Sequence, residues 1–93
     1  MALNKSVVQE DGVVTNYHRI LLLHLVTNVT NSIAVLSYVS QDVRAAEKAG
    51  TIIPYTRAVT YNAEYDETMT VGRAYQWLKD NVPEFKDAED ILE

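Results

Sequence analysis

Two histidines are the residues of this chain best suited to metal binding or catalysis. His18 and His24 lie on one expected strand, and six residues at about 3.3 Å each place them about 20 Å apart. Zinc ligands lie about 2 Å from the metal, so one strand cannot chelate a single ion with both side chains. We therefore expect each histidine to be structural or to lie in an interface, and we expect no metal and no cofactor.

Other residue types give no catalytic pattern. Glu64, Asp66 and Glu67 form an acidic segment without the alternating Asp or Asn ligands and central glycine of a calcium loop, which indicates a solvated loop. The three glycines are scattered, so phosphate-binding and dinucleotide-binding loops are not expected. The serines and threonines lack the flanking glycines of a nucleophile elbow. We expect no enzymatic activity and no small-molecule substrate.

Composition is typical of a small soluble globular domain. The chain has 93 residues, of which 47% are hydrophobic and 23% are charged, and this length fits one domain. The net charge of −5 and the scattered Lys and Arg residues disfavour nucleic acid as a partner. The sequence has no cysteine, which removes disulfides and thiolate chemistry and fits a protein made in a reducing cytosol.

The apolar segments of the chain are too short to cross a membrane as a helix. The longest apolar run, Ile20–Val26, has seven residues, whereas a membrane-spanning helix needs about 20. Residues Met1–Lys5 lack a charged region followed by an apolar stretch, so we expect no secretory signal and no membrane insertion.

Turn signals divide the first part of the chain into strands. Asp11 and Gly12 favour a tight hairpin turn, and Asn28–Asn31 favours a second one. The expected strands are an opening strand before Asp11, a long strand Val13–Thr27 that bends near Asn16–Arg19, a third strand Ser32–Ser40, and an edge strand Thr51–Asn62.

Capping residues predict two helices. Ser40 is expected to cap a helix over Gln41–Ala49, which Gly50 ends. Thr70 is expected to cap a helix over Val71–Asn81. The apolar face of the second helix consists of Val71, Ala74, Tyr75 and Leu78.

The order of these elements predicts an α+β fold, with a small antiparallel sheet of three to four strands and two short helices on one face. We expect a single domain over residues 1–83. Residues 84–93 are expected to form an acidic, frayed C-terminal tail, since only Phe85, Ile91 and Leu92 could anchor it.

The run Ile20–Val26 is the strongest hint of function, because it is apolar on both faces of a strand. In a small sheet one face usually meets water, so we expect this strand to be central and another chain or helix to cover it. Trp77 either completes the core or anchors an interface, and Arg73 could stack on its ring. The candidate interface residues are Ile20, Leu22, His24, Tyr55, Tyr61, Arg73 and Trp77.

Four segments together carry a family resemblance: Met1–Leu3, Val13–Ile20, Ser37–Ser40 and Ala74–Lys79. Their order resembles small proteins encoded in the tail and baseplate regions of phages and prophages of Gram-positive bacteria. The similarity covers nearly the whole chain. It implies a structural virion component assembled in the host cytoplasm, and it supplies no catalytic residues.

Two functions follow as expectations. The first is a non-enzymatic structural subunit of a phage or prophage virion, which associates with copies of itself and docks to larger tail proteins. The alternative is a small soluble bacterial binding or regulatory domain with a transient protein partner. The two functions differ in the expected stoichiometry: a virion subunit associates into an assembly and co-purifies with particles, whereas a binding domain contacts its partner transiently.

Overall fold

A computed structural model of the chain describes residues 1–50 and 55–92. Its elements are β1 (Ala2–Val8), β2 (Val14–Val26), β3 (Thr30–Tyr38), α1 (Gln41–Lys48), β4 (Thr56–Glu64), α2 (Val71–Asn81), a 3₁₀ turn (Pro83–Phe85) and β5 (Glu89–Ile91). The strands form one five-stranded antiparallel sheet in the order β4-β3-β2-β1-β5. The α+β class is confirmed, with one strand more than the three to four expected.

Both helices begin at the predicted caps. Ser40 Oγ accepts a hydrogen bond from the Val43 N–H at 3.2 Å, and Thr70 Oγ1 accepts one from the Arg73 N–H at 3.2 Å. These bonds satisfy N–H groups that have no partner within the first helical turn. Gly50 follows α1 with φ +75°, a conformation that glycine adopts without strain and that stops the helix.

The main core lies between α2 and one face of the sheet. Its buried members include Leu3, Ile33 and Val35 from the strands and Tyr75 and Leu78 from α2. The predicted apolar face of α2 is therefore confirmed for Ala74, Tyr75 and Leu78, which are buried. It is wrong for Val71, which is 49% exposed. Val71 opens the helix, one turn before the part that packs on the sheet.

The smaller core lies on the opposite face of the sheet, under α1. Ala2, Tyr17 and Tyr38 are buried there, and Val43 of α1 packs against them. Ala2 directly precedes Leu3, a member of the main core, and neighbouring strand residues point to opposite faces. The expectation of two helices on one face is therefore wrong. Because β3 is apolar on both faces, its pattern did not determine which face α1 would cover.

The C-terminal segment packs on the domain, in contrast to the frayed tail expected from its acidic sequence. Phe85 is buried in the main core, and residues Glu89–Ile91 pair with Ala2–Asn4 as strand β5. Lys79 Nζ donates to Asp90 Oδ1 at 3.0 Å. The aromatic anchor brings the following residues to the edge of β1, where backbone pairing orders them.

β4 lies at one edge of the sheet. This agrees with the edge strand predicted over Thr51–Asn62. It begins at Thr56, and the predicted start of this strand, at residues 51–54, lies outside the described residues. β4 continues to Glu64 and so takes in part of the segment that the sequence assigned to an acidic loop.

Candidate protein interface

The second half of β2 carries three partly exposed leucines. Leu21 and Leu22 are each 49% exposed, and Leu25 is 37% exposed. Ile20 and Leu23 instead pack against the main core. No Asp, Glu, Lys or Arg occurs between Ile20 and Gln41, so this surface carries no fixed charge. Leu22 and Leu25 point to opposite faces of β2, and exposed leucines next to an unpaired strand edge are typical of a protein–protein contact.

A β-bulge separates the two halves of β2. Ile20 pairs with Val35 and Leu22 pairs with Ala34, which leaves Leu21 as the extra residue. The sequence placed the bend slightly earlier, near Asn16–Arg19. Bulges turn a strand away from its neighbour, and here the bulge lies where β2 leaves β1.

The hydroxyl of Tyr75 marks the end of the β1–β2 ladder. It donates to the Met1 carbonyl at 2.7 Å and accepts from the Ile20 N–H at 2.8 Å. The pairing between β1 and β2 extends only as far as His18. From Leu22 to Val26, among the described residues, β2 pairs with β3 alone, so the prediction of a central strand is correct only for the first half of β2.

Two of the predicted interface residues, Leu22 and His24, lie together on this surface. They are exposed on the same face of β2, opposite Ala34 and Ser32 of β3. Ile20 is half-buried and contributes to the core instead.

The predicted tyrosines lie apart from that surface. Tyr61 is half-buried, and its ring lies edge-on to Phe85 with centroids 6.0 Å apart. Tyr55 immediately precedes β4, and its hydroxyl donates to Asp11 Oδ2 at 2.7 Å. This bond is the main cause that lowers the pKa of the Asp11 carboxyl. Tyr55 therefore ties the first hairpin to β4.

Arg73 and Trp77 line an open groove of about 1090 Å³ between α2 and the loop after β4. The Arg73 guanidinium donates to Asp66 Oδ2 at 3.0 Å and to Thr68 Oγ1 at 2.7 Å. Arg73 therefore holds the acidic loop. The sequence had instead suggested that its guanidinium would stack on the Trp77 ring. Trp77 is half-buried against the main core. The seven predicted residues are thus spread over several surfaces of the domain.

A buried serine–histidine pair was missed by the sequence analysis. His18 Nδ1 lies 2.7 Å from Ser37 Oγ, and Nε2 lies 2.7 Å from the Lys5 carbonyl oxygen. A carbonyl oxygen can only accept, so Nε2 carries the proton and Nδ1 accepts from the serine hydroxyl. The two residues face each other across β2 and β3, a register that the sequence does not display.

The polarity of this pair resembles a serine activated by a general base. However, His18 is 1% exposed and Ser37 is 6% exposed, so a substrate cannot reach the hydroxyl. Phe85 covers the imidazole edge-on, with centroids 5.0 Å apart. Burial lowers the pKa of His18 below its usual 6.5, which keeps the ring neutral. The pair fastens β1, β2 and β3 together.

A second polar cluster attaches α1 to the sheet. The Tyr38 hydroxyl donates to Glu47 Oε1 at 2.7 Å and accepts from Arg19 Nε at 3.2 Å. Arg44 pairs with the same Glu47 carboxylate. The Tyr38 hydrogen bond is the main cause that lowers the pKa of Glu47, while burial raises the pKa of Tyr38. These contacts position the helix on the sheet.

Within residues 1–50 and 55–92, no group of three or more His, Asp or Glu side chains is arranged to hold a metal ion. In the same part of the chain, no helix has the length and apolar character needed to cross a membrane. No protein-family model, curated protein or solved structure matched this chain.

Proposed function

We propose that this chain is a non-enzymatic structural subunit of a phage or prophage virion, in the tail or baseplate region. It acts by associating with copies of itself and by docking to larger tail proteins. The observation that carries the proposal is the exposed, uncharged second half of β2, with Leu21, Leu22 and Leu25 at its surface. The resemblance of four sequence segments to phage tail-region proteins supports the virion context.

The exposed leucines favour association on energetic grounds. Complete burial of a leucine side chain contributes about 1.5–3 kcal/mol. Leu22 and Leu25 are partly buried already, so each gains a fraction of this amount in a contact. Because Leu22 and Leu25 point to opposite faces of β2, each would be covered on its own face, and association also satisfies the backbone groups of the unpaired edge.

A catalytic role receives no comparable support. The one Ser–His pair found within the described residues is closed to solvent, and its hydrogen bonds are all used to hold strands together. A subunit that assembles needs surface complementarity and no reactive group, which agrees with this arrangement.

Light scattering tests the self-association. The double variant Leu22→Ser/Leu25→Ser should shift the purified chain from an associated state to a monomer. Val8→Ser is the matched control, because Val8 is exposed at the far end of β1 and should leave the mass unchanged. A wild-type chain that is monomeric at every concentration would contradict the self-association and favour the transient binding domain.

Particle purification tests the virion context. Phage particles induced from the strain that encodes this chain should contain it in a fixed ratio to the major tail protein, as measured by quantitative mass spectrometry. Recovery of the chain only in the soluble fraction would contradict a virion role.

A further inference from the structure

We infer that the partner at the exposed edge of β2 is a second copy of this chain, paired antiparallel across residues 22–26 with His24 facing His24 of the second copy. This inference rests on the proposed function, because it names the partner and the register of the self-association. The result is a continuous ten-stranded sheet with a two-fold axis at His24.

The backbone of β2 offers alternate residues to a partner strand. The Val29 N–H donates to the Val26 carbonyl at 3.0 Å, so the Val26 carbonyl is directed toward the β3 side. Backbone groups alternate in direction along a strand, and this places those of Leu23 and Leu25 toward the unpaired edge. Before the bulge the backbone groups of the even-numbered residues point away from β3 instead, since the Ile20 N–H is directed to the Tyr75 hydroxyl.

Apart from the bulge at Leu21, the edge lacks the features that normally prevent sheets from pairing. Natural edge strands carry charges, prolines or very short lengths to block association. β5 has three residues, two of them acidic, and β4 carries Arg57 and Glu64 near its ends. The second half of β2 has none of these features. In a chain with net charge −5, it is an edge where two copies can meet without direct repulsion.

The strand is complementary to itself. Antiparallel pairing about His24 brings Leu22 opposite Val26 and Leu23 opposite Leu25, so each apolar residue meets an apolar residue of the second copy. A two-fold axis perpendicular to the sheet preserves its faces, so directly facing residues must point to the same face. The bulge at Leu21 limits regular pairing to the five residues 22–26. Only the register centred on His24 pairs all five.

This register makes a measurable distance prediction. Because Leu23 and Leu25 exchange the backbone bonds, the two His24 residues form a non-hydrogen-bonded pair with Cα atoms about 4.5 Å apart. That separation is compatible with a disulfide. The two Leu22 residues are offset by four positions along the strand, about 13 Å, which is too far for one.

Single-cysteine variants test the register, because the natural sequence contains no cysteine. His24→Cys should form a disulfide-linked dimer under mild oxidation at least about tenfold faster than Leu22→Cys. Leu22 is the matched control because it is exposed on the same face. In the wild-type chain, hydrogen exchange at the Leu23 and Leu25 amides should slow as protein concentration rises.

The outcomes separate this inference from the proposed function. Equal cross-linking of the two variants, or unprotected Leu23 and Leu25 amides in a chain that light scattering shows to be associated, would overturn the paired-strand arrangement while self-association stands. A monomeric wild-type chain would overturn both.

Discussion

The buried imidazole of His18 predicts a loss of stability at mildly acidic pH. Because burial holds the folded-state pKa below 6.5, the unfolded chain takes up a proton in a range where the folded chain does not. Below pH 6.5 the free energy of unfolding therefore falls as the pH falls, by up to about 1.4 kcal/mol per pH unit until the folded-state pKa is reached. Between pH 7.5 and pH 5.5 we expect a loss of stability of no more than about 1.4 kcal/mol, measured by urea denaturation.

The chosen pH range separates His18 from the carboxylates. Asp11, Glu47 and Asp66 have lowered pKa values, so their contribution to stability is lost mainly below about pH 5. His18→Gln removes the titrating group and should flatten the dependence between pH 7.5 and 5.5. An NMR titration of wild-type protein gives a direct check: a His18 ring signal with a midpoint at or above 6.5 would refute the reasoning.

Three further perturbations test the fold. Leu78→Ala removes a fully buried side chain of α2 and should lower the free energy of unfolding by about 2–5 kcal/mol in denaturant titrations. Tyr75→Phe removes the hydroxyl shared by Met1 and Ile20 and should cost about 1–3 kcal/mol in the same assay; an unchanged midpoint would show that water replaces it. Thermal melts with and without a strong chelator should superpose, and a large drop in melting temperature would reveal a metal site.

The helices were predictable from local chemistry. The side-chain oxygens of Ser40 and Thr70 each accept a hydrogen bond from the backbone N–H three residues later in the chain. This interaction depends only on neighbouring residues. The buried stripe of α2, with Tyr75 and Leu78, follows from the 3.6-residue period alone. Both features are encoded within a dozen residues of sequence.

The remaining features depend on contacts between distant segments. β5 is a three-residue strand with an acidic sequence, and it forms because Phe85 anchors the chain beside β1. The pairing of His18 with Ser37 depends on strand register, which the bulge shifts. Similarly, β3 is apolar on both faces, so its sequence could not show which face α1 covers. Local sequence propensity does not determine strand register or which face of a sheet a helix covers.

The pattern of Ile20–Val26 lies between these cases. Its two apolar faces predicted cover from another chain or helix; in the structure Ile20 and Leu23 pack on the core while Leu22 and Leu25 remain exposed. Its sequence did not show that β1 ends before this segment. At that boundary the Tyr75 hydroxyl of α2 bridges the Met1 carbonyl and the Ile20 N–H, a contact between distant segments.

Sedimentation equilibrium of the wild-type chain over a wide concentration range tests the central claim most directly. We predict a reversible monomer–dimer equilibrium, with a limiting mass twice that of the chain, which Leu25→Pro abolishes by removing an N–H directed at the unpaired edge. Circular dichroism of Leu25→Pro should match the wild type, since β3 does not use that N–H. A single species at the monomer mass throughout, or a dimer that Leu25→Pro leaves intact, would contradict association through this edge.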